Sequence, residues 1–195
     1  MKRAAIVLTA LALLAGGIRS AQASLIANGD FETSDFSGWT DNTNFSGVTA
    51  AGFNGFAPQG GTYFAYLGTA DGLGSLSQTV LDTAGQTYTL SMYLGSDGLT
   101  PNEFAVAWNG AIIYDAANLP DTRANVSQYN FLSFVVLGSG IDLLEIGSRN
   151  DDGYLALDSV SLVAAAVPEP ASLAMWGCGL LGIACAAYLQ RKRSA

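Results

Sequence analysis

The chain contains no histidine at all. That removes Ser-His-Asp and Cys-His nucleophile systems, and with them His-ligated zinc or copper. Its only cysteines, Cys178 and Cys185, lie close to the C-terminus. The stretch from Ser24 to Ala165 therefore has no disulfide. It also has no lysine, which removes Schiff-base chemistry. An enzyme on this scaffold would have to work with carboxylates, tyrosines or a hard metal ion. Amphipathic helical periodicity and internal repeats are missing as well.

Cations are almost absent from the middle of the chain. Lys2, Arg3 and Arg19 stand at one end, and Arg191, Lys192 and Arg193 at the other. Between Ser24 and Ala165 only Arg123 and Arg149 remain, against fifteen carboxylates, a net charge near −13. Nucleic acid and anionic membrane surfaces are poor partners for that field, and cations such as calcium are favoured.

The middle of the chain is rich in short alternating runs. Tyr88, Leu90, Met92 and Leu94 share one face of Thr87–Leu94, and Phe104, Val106 and Trp108 share one face of Glu103–Trp108. Asn109-Gly110 before Ala111–Tyr114 is a hairpin signal, because a type I′ turn needs φ > 0 at both positions. Further runs cover Thr62–Leu67, Ser75–Val80, Tyr129–Val136, Asp142–Ser148 and Tyr154–Val163. A short strand is expected within Leu25–Glu32 and a weak one at Val48–Ala50. Eight or nine strands at about ten-residue spacing predict an antiparallel all-β sandwich or barrel. One hydrophobic core suffices for about 140 residues.

The two ends read differently. Lys2-Arg3, an apolar run from Ala4 to Ile18 and the small residues Ala21 and Ala23 form a secretory signal pattern over residues 1–23. At the other end, residues 166–195 hold Val167-Pro168-Glu169-Pro170, then an uncharged apolar run over 171–189, then Arg191-Lys192-Arg193. Two prolines make a stiff joint. The run approaches the ~20 residues of a membrane-crossing helix, and the basic end marks the cytoplasmic side. In that order the three parts resemble the PEP-CTERM sorting tail of exported bacterial proteins. The resemblance implies recognition by an exosortase, alongside signal peptidase at the N-terminus. It implies an inner-membrane-spanning precursor that moves to the cell envelope surface or extracellular matrix.

The domain at 24–165 carries a second resemblance. Asn28-Gly29-Asp30-Phe31-Glu32 and Phe36-Ser37-Gly38-Trp39 stand near its start, and Leu157-Asp158-Ser159-Val160-Ser161-Leu162 near its end. Gly61-Thr62-Tyr63 and Gly85-Gln86-Thr87-Tyr88 lie between. This set is similar to the jelly-roll carbohydrate-binding modules and galactose-binding-like β-sandwiches, whose first and last strands lie side by side. The resemblance implies a structural calcium there, with side-chain oxygens from Glu32 and Asp158 and carbonyls from Asp30 and Thr62. Hard oxygen donors of that kind suit calcium. Ser159 stands where the family has a second Asp, which weakens the site.

For sugar binding, Trp39 and Trp108 read as packing residues. Tyr63, Tyr66, Tyr93, Tyr114, Tyr129 and Tyr154 are the remaining aromatic candidates. Asp97 with Glu103, and Asp151 with Asp152, are the carboxylate pairs a glycosidase would need, but no motif marks them and no enzyme is expected. The function read from the sequence is structural or adhesive, at the cell surface or in extracellular matrix. The alternative is a carbohydrate-binding module for an extracellular polysaccharide.

Overall fold

The computed structural model describes residues 23–50 and 52–165. Among these the regular elements are ten strands and no helix: β1 Thr40–Asn42, β2 Gly47–Ala50, β3 Tyr63–Leu67, β4 Gly74–Leu81, β5 Thr87–Ser96, β6 Asn102–Trp108, β7 Ala111–Ala117, β8 Asn130–Leu137, β9 Ile141–Asn150 and β10 Leu155–Ala164. They form two five-stranded antiparallel sheets. The first runs β1-β4-β9-β6-β7 and the second β2-β3-β10-β5-β8.

Alternation drives the layering. Leu76 and Val80 on β4, Phe104, Val106 and Trp108 on β6, and Leu144 and Ile146 on β9 point inward and are buried. Ala65, Leu67, Leu90, Met92, Leu94, Leu155, Leu157 and Leu162 meet them from the second sheet. Each fully buried aliphatic or aromatic side chain contributes about 1.5–3 kcal/mol of transfer free energy. Trp108 is core as expected, its Nε1 donating to the Leu137 carbonyl at 3.1 Å. Asn109 and Gly110 have φ of 52° and 75°, the conformation the β6–β7 hairpin needs.

The expected first strand differs. Residues 25–31 run beside β10, with Leu25 N–H bonded to the Leu162 carbonyl at 2.9 Å and Val160 N–H to the Gly29 carbonyl at 2.7 Å. They form turns instead of a ladder, because Asn28 and Phe31 take positive φ. That folds Phe31 inward onto Trp39, ring centroids 6.0 Å apart. β1 was not legible as a strand: its three residues, Thr-Asp-Asn, are all exposed.

The localisation expected from the sequence is corrected. An inner-membrane-spanning precursor needs a long apolar helix, and among the described residues no helix is long and apolar enough to cross a membrane. Every element there is a strand of ten residues or fewer. The helices expected over 1–23 and 171–189, the Val167–Pro170 motif and Arg191–Arg193 lie outside the described residues.

One end of the sandwich, the loop end, gathers the connections 43–46, 68–73, 97–101, 118–129 and 151–154. The opposite end holds the short turns 82–86, 109–110 and 138–140.

Candidate functional site

The outer face of the first sheet is built from short side chains. Register places Asn42, Ser75, Gly147 and Ala105 in one row across β1, β4, β9 and β6. Thr40, Ser77, Glu145 and Ala107 form the next. No aromatic side chain stands in either row. Glu103 faces Arg149 beyond them, toward the loop end. The result is a shallow strip with a small-residue floor and polar groups along it.

At the loop end this strip meets a cavity of about 300 Å³. It is lined by residues 42–44 and 69–74, with Asn42, Thr43, Asn44, Thr69 and Asp71 as its polar residues. Gly74 opens the space: a Cβ there would lie 2.7 Å from Thr69 Oγ1. Thr69 is 5% exposed, and its Oγ1 has no hydrogen-bond partner. A buried hydroxyl without a partner costs about 1–3 kcal/mol. Asn44 Oδ1 accepts from the Ala70 N–H at 3.1 Å and ties the two loops together. Leu73 leans toward the strip, its Cδ2 3.6 Å from where a Cβ on Gly147 would stand. Phe45, next in the chain to Asn44, is 70% exposed.

Charge at the rim is organised by Arg149. Its Nε and Nη2 donate to Asp151 at 2.8 and 2.6 Å, a bidentate fork. Hydrogen bonds from Arg149 hold the Asp151 carboxyl below the ordinary aspartate range. Asp151 also accepts from the Asp71 N–H at 3.2 Å, fixing the 69–74 loop to the turn before β10.

Of the four expected calcium residues, Glu32, Thr62 and Asp158 meet at the 59–63 loop. Glu32 Oε1 accepts from the Thr62 and Tyr63 N–H groups at 2.7 and 2.9 Å. Those amides lower the Glu32 pKa, Tyr63 first. Gly61 makes the approach possible: its φ is 63°, and a Cβ would lie 2.3 Å from Glu32 Oε1. Asp158, fully buried, accepts from Gln59 N–H at 2.7 Å and Gly60 N–H at 3.2 Å through Oδ2. Its Oδ1 takes the Ser159 N–H and hydroxyl. Burial pushes the Asp158 carboxyl up, against the pull of these donors. As arranged, the set does not fit calcium. Asp158 already has four donors on about four lone-pair sites, and Glu32 faces N–H groups where a metal site needs carbonyls. Asp30 lies with Ser159 and Ser161 on a separate cavity of about 300 Å³. Among the described residues no three His, Cys, Asp or Glu side chains group as metal ligands.

Most of the tyrosine candidates are engaged in packing. Tyr129 is buried with Phe56, Phe64 and Ala156 on the outer face of the second sheet. Burial raises its phenol pKa, and the Asp158 charge adds to this. Tyr66 and Tyr154 enclose Phe53, with ring centroids 4.4 and 4.9 Å from it. Tyr93 meets Phe131 at 5.0 Å, and Tyr114 meets Phe104 and Phe134 at 6.4 and 5.8 Å. Tyr63 uses its backbone N–H on Glu32.

The carboxylate pairs do not assemble either. Asp97 is 3% exposed and accepts from Asn54, Leu99, Asn150 and Tyr154. Glu103 lies on the open outer face, Asp151 is held by Arg149, and Asp152 is exposed. The cavity residues at 42–44 and 69–74 were not singled out from the sequence. The available signal was local: two Asn flanking Thr43, and Asp71-Gly72 at positive φ.

Known proteins resemble this chain in structure and not in sequence. No family model matches it, and no curated protein matches it. Among solved structures it is similar to TmCBM61 in complex with beta-1,4-galactotriose, at 18% identity and a TM-score of 0.55, over 73% of this chain and 99% of that one. The CBM22-1 xylan-binding domain from Paenibacillus barcinonensis Xyn10C is similar at 18% identity and a TM-score of 0.51, over 76% and 99%. The enzymatically active domain of Bacteriophage CBA120 tailspike protein 4 is similar at 15% and 0.51, over 73% of this chain and 21% of that one. At these identities the likeness establishes the fold, a jelly roll of the carbohydrate-binding-module type.

Proposed function

We propose that the domain is a carbohydrate-binding module for an extracellular polysaccharide. One sugar residue enters the cavity at 42–44 and 69–74, and the chain continues along the strip through Ser75, Gly147 and Ala105. The polar cavity of about 300 Å³ lined by Asn42, Thr43, Asn44 and Asp71 is the observation that carries this. Asn42, Asn44 and Asp71 offer donors and acceptors to sugar hydroxyls, and Phe45, next in the chain to Asn44, is an exposed ring. Pockets of this size with a few convergent polar groups are the common form of small-ligand sites. The fold shared with a galactotriose-bound and a xylan-binding module supports the same reading. It comes ahead of the structural or adhesive role.

A glycan array probed with residues 24–165, including beta-1,4-galactan and xylan oligosaccharides, tests it. Saturable binding that Phe45→Ala and Asp71→Ala each weaken at least tenfold is expected. Binding unaffected by both changes would move the site elsewhere, and no binding to any glycan would remove the reading. Delivery is a separate part of the proposal. The PEP-CTERM resemblance of Val167–Arg193 supports processing near Pro168-Glu169-Pro170. Mass spectrometry of the mature protein tests this, and an intact C-terminus would reject it.

A further inference from the structure

Charge is divided unequally between the two sheets. The strands of the second sheet hold a single carboxylate, Asp158, and it is fully buried. Those of the first hold Asp41, Glu103, Asp115, Asp142 and Glu145, of which only Asp142 is buried. Register puts three of them on the outer face that forms the strip. Asp115 closes the row of Asn42, Ser75, Gly147 and Ala105, and Glu145 stands inside the next row. Glu103 lies one pair beyond Ala105 toward the loop end. Asp71, which is exposed, adds a fourth carboxylate at the cavity itself.

The strip has one cation, Arg149, and it is already committed to the fork on Asp151. That fork raises the guanidinium pKa first; burial opposes, and the charges of Glu103 and Asp71 add to the rise. Three carboxylates thus share one positive charge. Among the described residues the ion pairs are Arg149 with Asp151 and Arg123 with Asp121. Asp71, Glu103, Asp115 and Glu145 are left without one. An acidic polysaccharide would meet like charge along its whole path, and a neutral one would leave four carboxylates unmatched. A ligand with positive charge of its own is the one this face complements.

We propose that the polysaccharide taken by this site carries free amino groups, as a deacetylated hexosamine polymer does. The inference rests on the cavity and strip being the glycan site. Asp71 receives the ammonium group of the sugar in the cavity. Glu103, Asp115 and Glu145 meet those of sugars further along. The floor of Ser75, Gly147 and Ala105 is low enough for the chain to lie beside these carboxylates instead of above them.

Calorimetric titration of residues 24–165, which contain both sheets and both cores, tests this. The probes are a glucosamine oligomer, its N-acetylated counterpart, and beta-1,4-galactan and xylan oligosaccharides. The glucosamine oligomer should bind about tenfold tighter than the acetylated one, since an exposed ion pair contributes at most about fivefold and several are made. Salt should erode that advantage. Glu145→Gln should reduce it several-fold. Asp30→Asn removes the same charge beside Ser159 and Ser161 of the second sheet, and should leave it intact. Galactan or xylan binding that Phe45→Ala and Asp71→Ala weaken, with no preference for the amine, would keep the carbohydrate-binding reading and overturn this inference. No binding to any of the glycans would remove both. A preference for the amine that Glu145→Gln leaves untouched, or that Asp30→Asn reduces equally, would reflect net charge alone and overturn it too.

Discussion

The outer face of the second sheet is roofed by aromatic side chains, while that of the first is open and polar. On the second sheet, loop 52–62 lays Phe53 and Phe56 over Phe64, Tyr66, Tyr129 and Ala156. Asp158 and Glu32 hold the continuation of that loop through backbone amides. On the first, Ser75, Ser77, Ala105, Ala107 and Gly147 leave the backbone nearly bare. The difference teaches that aromatic content does not locate a sugar site here. Most rings are engaged in the core between the sheets or in closing the roof, and the surface left for a ligand is the one built from small and hydrogen-bonding side chains.

The comparison breaks most sharply at Phe56, the 2%-exposed ring under the roof. Phe56→Ala should lower stability by about 3–5 kcal/mol, as large-to-small core changes do. Urea unfolding checks it. A loss below 1 kcal/mol would mean the roof is loosely packed and its tyrosines are free to bind.

Asp158→Ala comes next. It strands the Gln59, Gly60 and Ser159 donors, and should cost about 2–3 kcal/mol, the scale of hydrogen bonds to a charged group. Calcium or excess chelator should leave the unfolding midpoint of the wild type unchanged. A calcium-dependent rise in wild type that the variant lacks would contradict the reading of Asp158 as an amide acceptor.

A smaller effect belongs to the end opposite the loops. Burial and the facing Asp142 push the Asp82 carboxyl up, and Asp82 Oδ2 is buried without another partner. Burial opposes ionisation of Asp142 too, but hydrogen bonds from Asp82, Ser139 and Asn109 bring it down to about 2. The depressed Asp142 contributes stability that is present above its unfolded pKa of about 3.9 and fades as pH falls through about 2. The raised Asp82 contributes stability below its unfolded value that is lost as pH rises through its folded one. The pair is therefore most favourable holding one proton. Asp82→Asn, which keeps a donor toward Asp142 at every pH, should flatten the decline on the alkaline side. Stability measured from pH 3 to 7 that falls equally in both proteins would contradict the shared proton.

Much of this fold was legible. Nine of the ten strands lie on runs that alternate or carry β-branched and aromatic residues, and Asn109-Gly110 marked its hairpin. β1 was not, since Thr-Asp-Asn has no apolar face to signal. Of the expected set Asp30, Glu32, Thr62 and Asp158, Glu32 and Asp158 accept from backbone amides of the 59–63 loop, a chemistry not visible in residue type. Whether a carboxylate meets a metal or an N–H depends on how the Gln59–Tyr63 backbone is turned, which Gly61 at positive φ decides. The cavity was missed because a cavity is a space between loops. Thr69 and Gly74 acquire meaning only when the chain brings them together.

The measurement that bears most directly on the account is made on Asn42→Ala, with unfolding and glycan titration on the same preparation. Asn42 is exposed and lines the cavity, so its loss should leave the unfolding midpoint unmoved. Affinity for the glycan that the wild type binds should fall several-fold. Binding lost at unchanged stability would support the cavity as the site. Binding unchanged would contradict it.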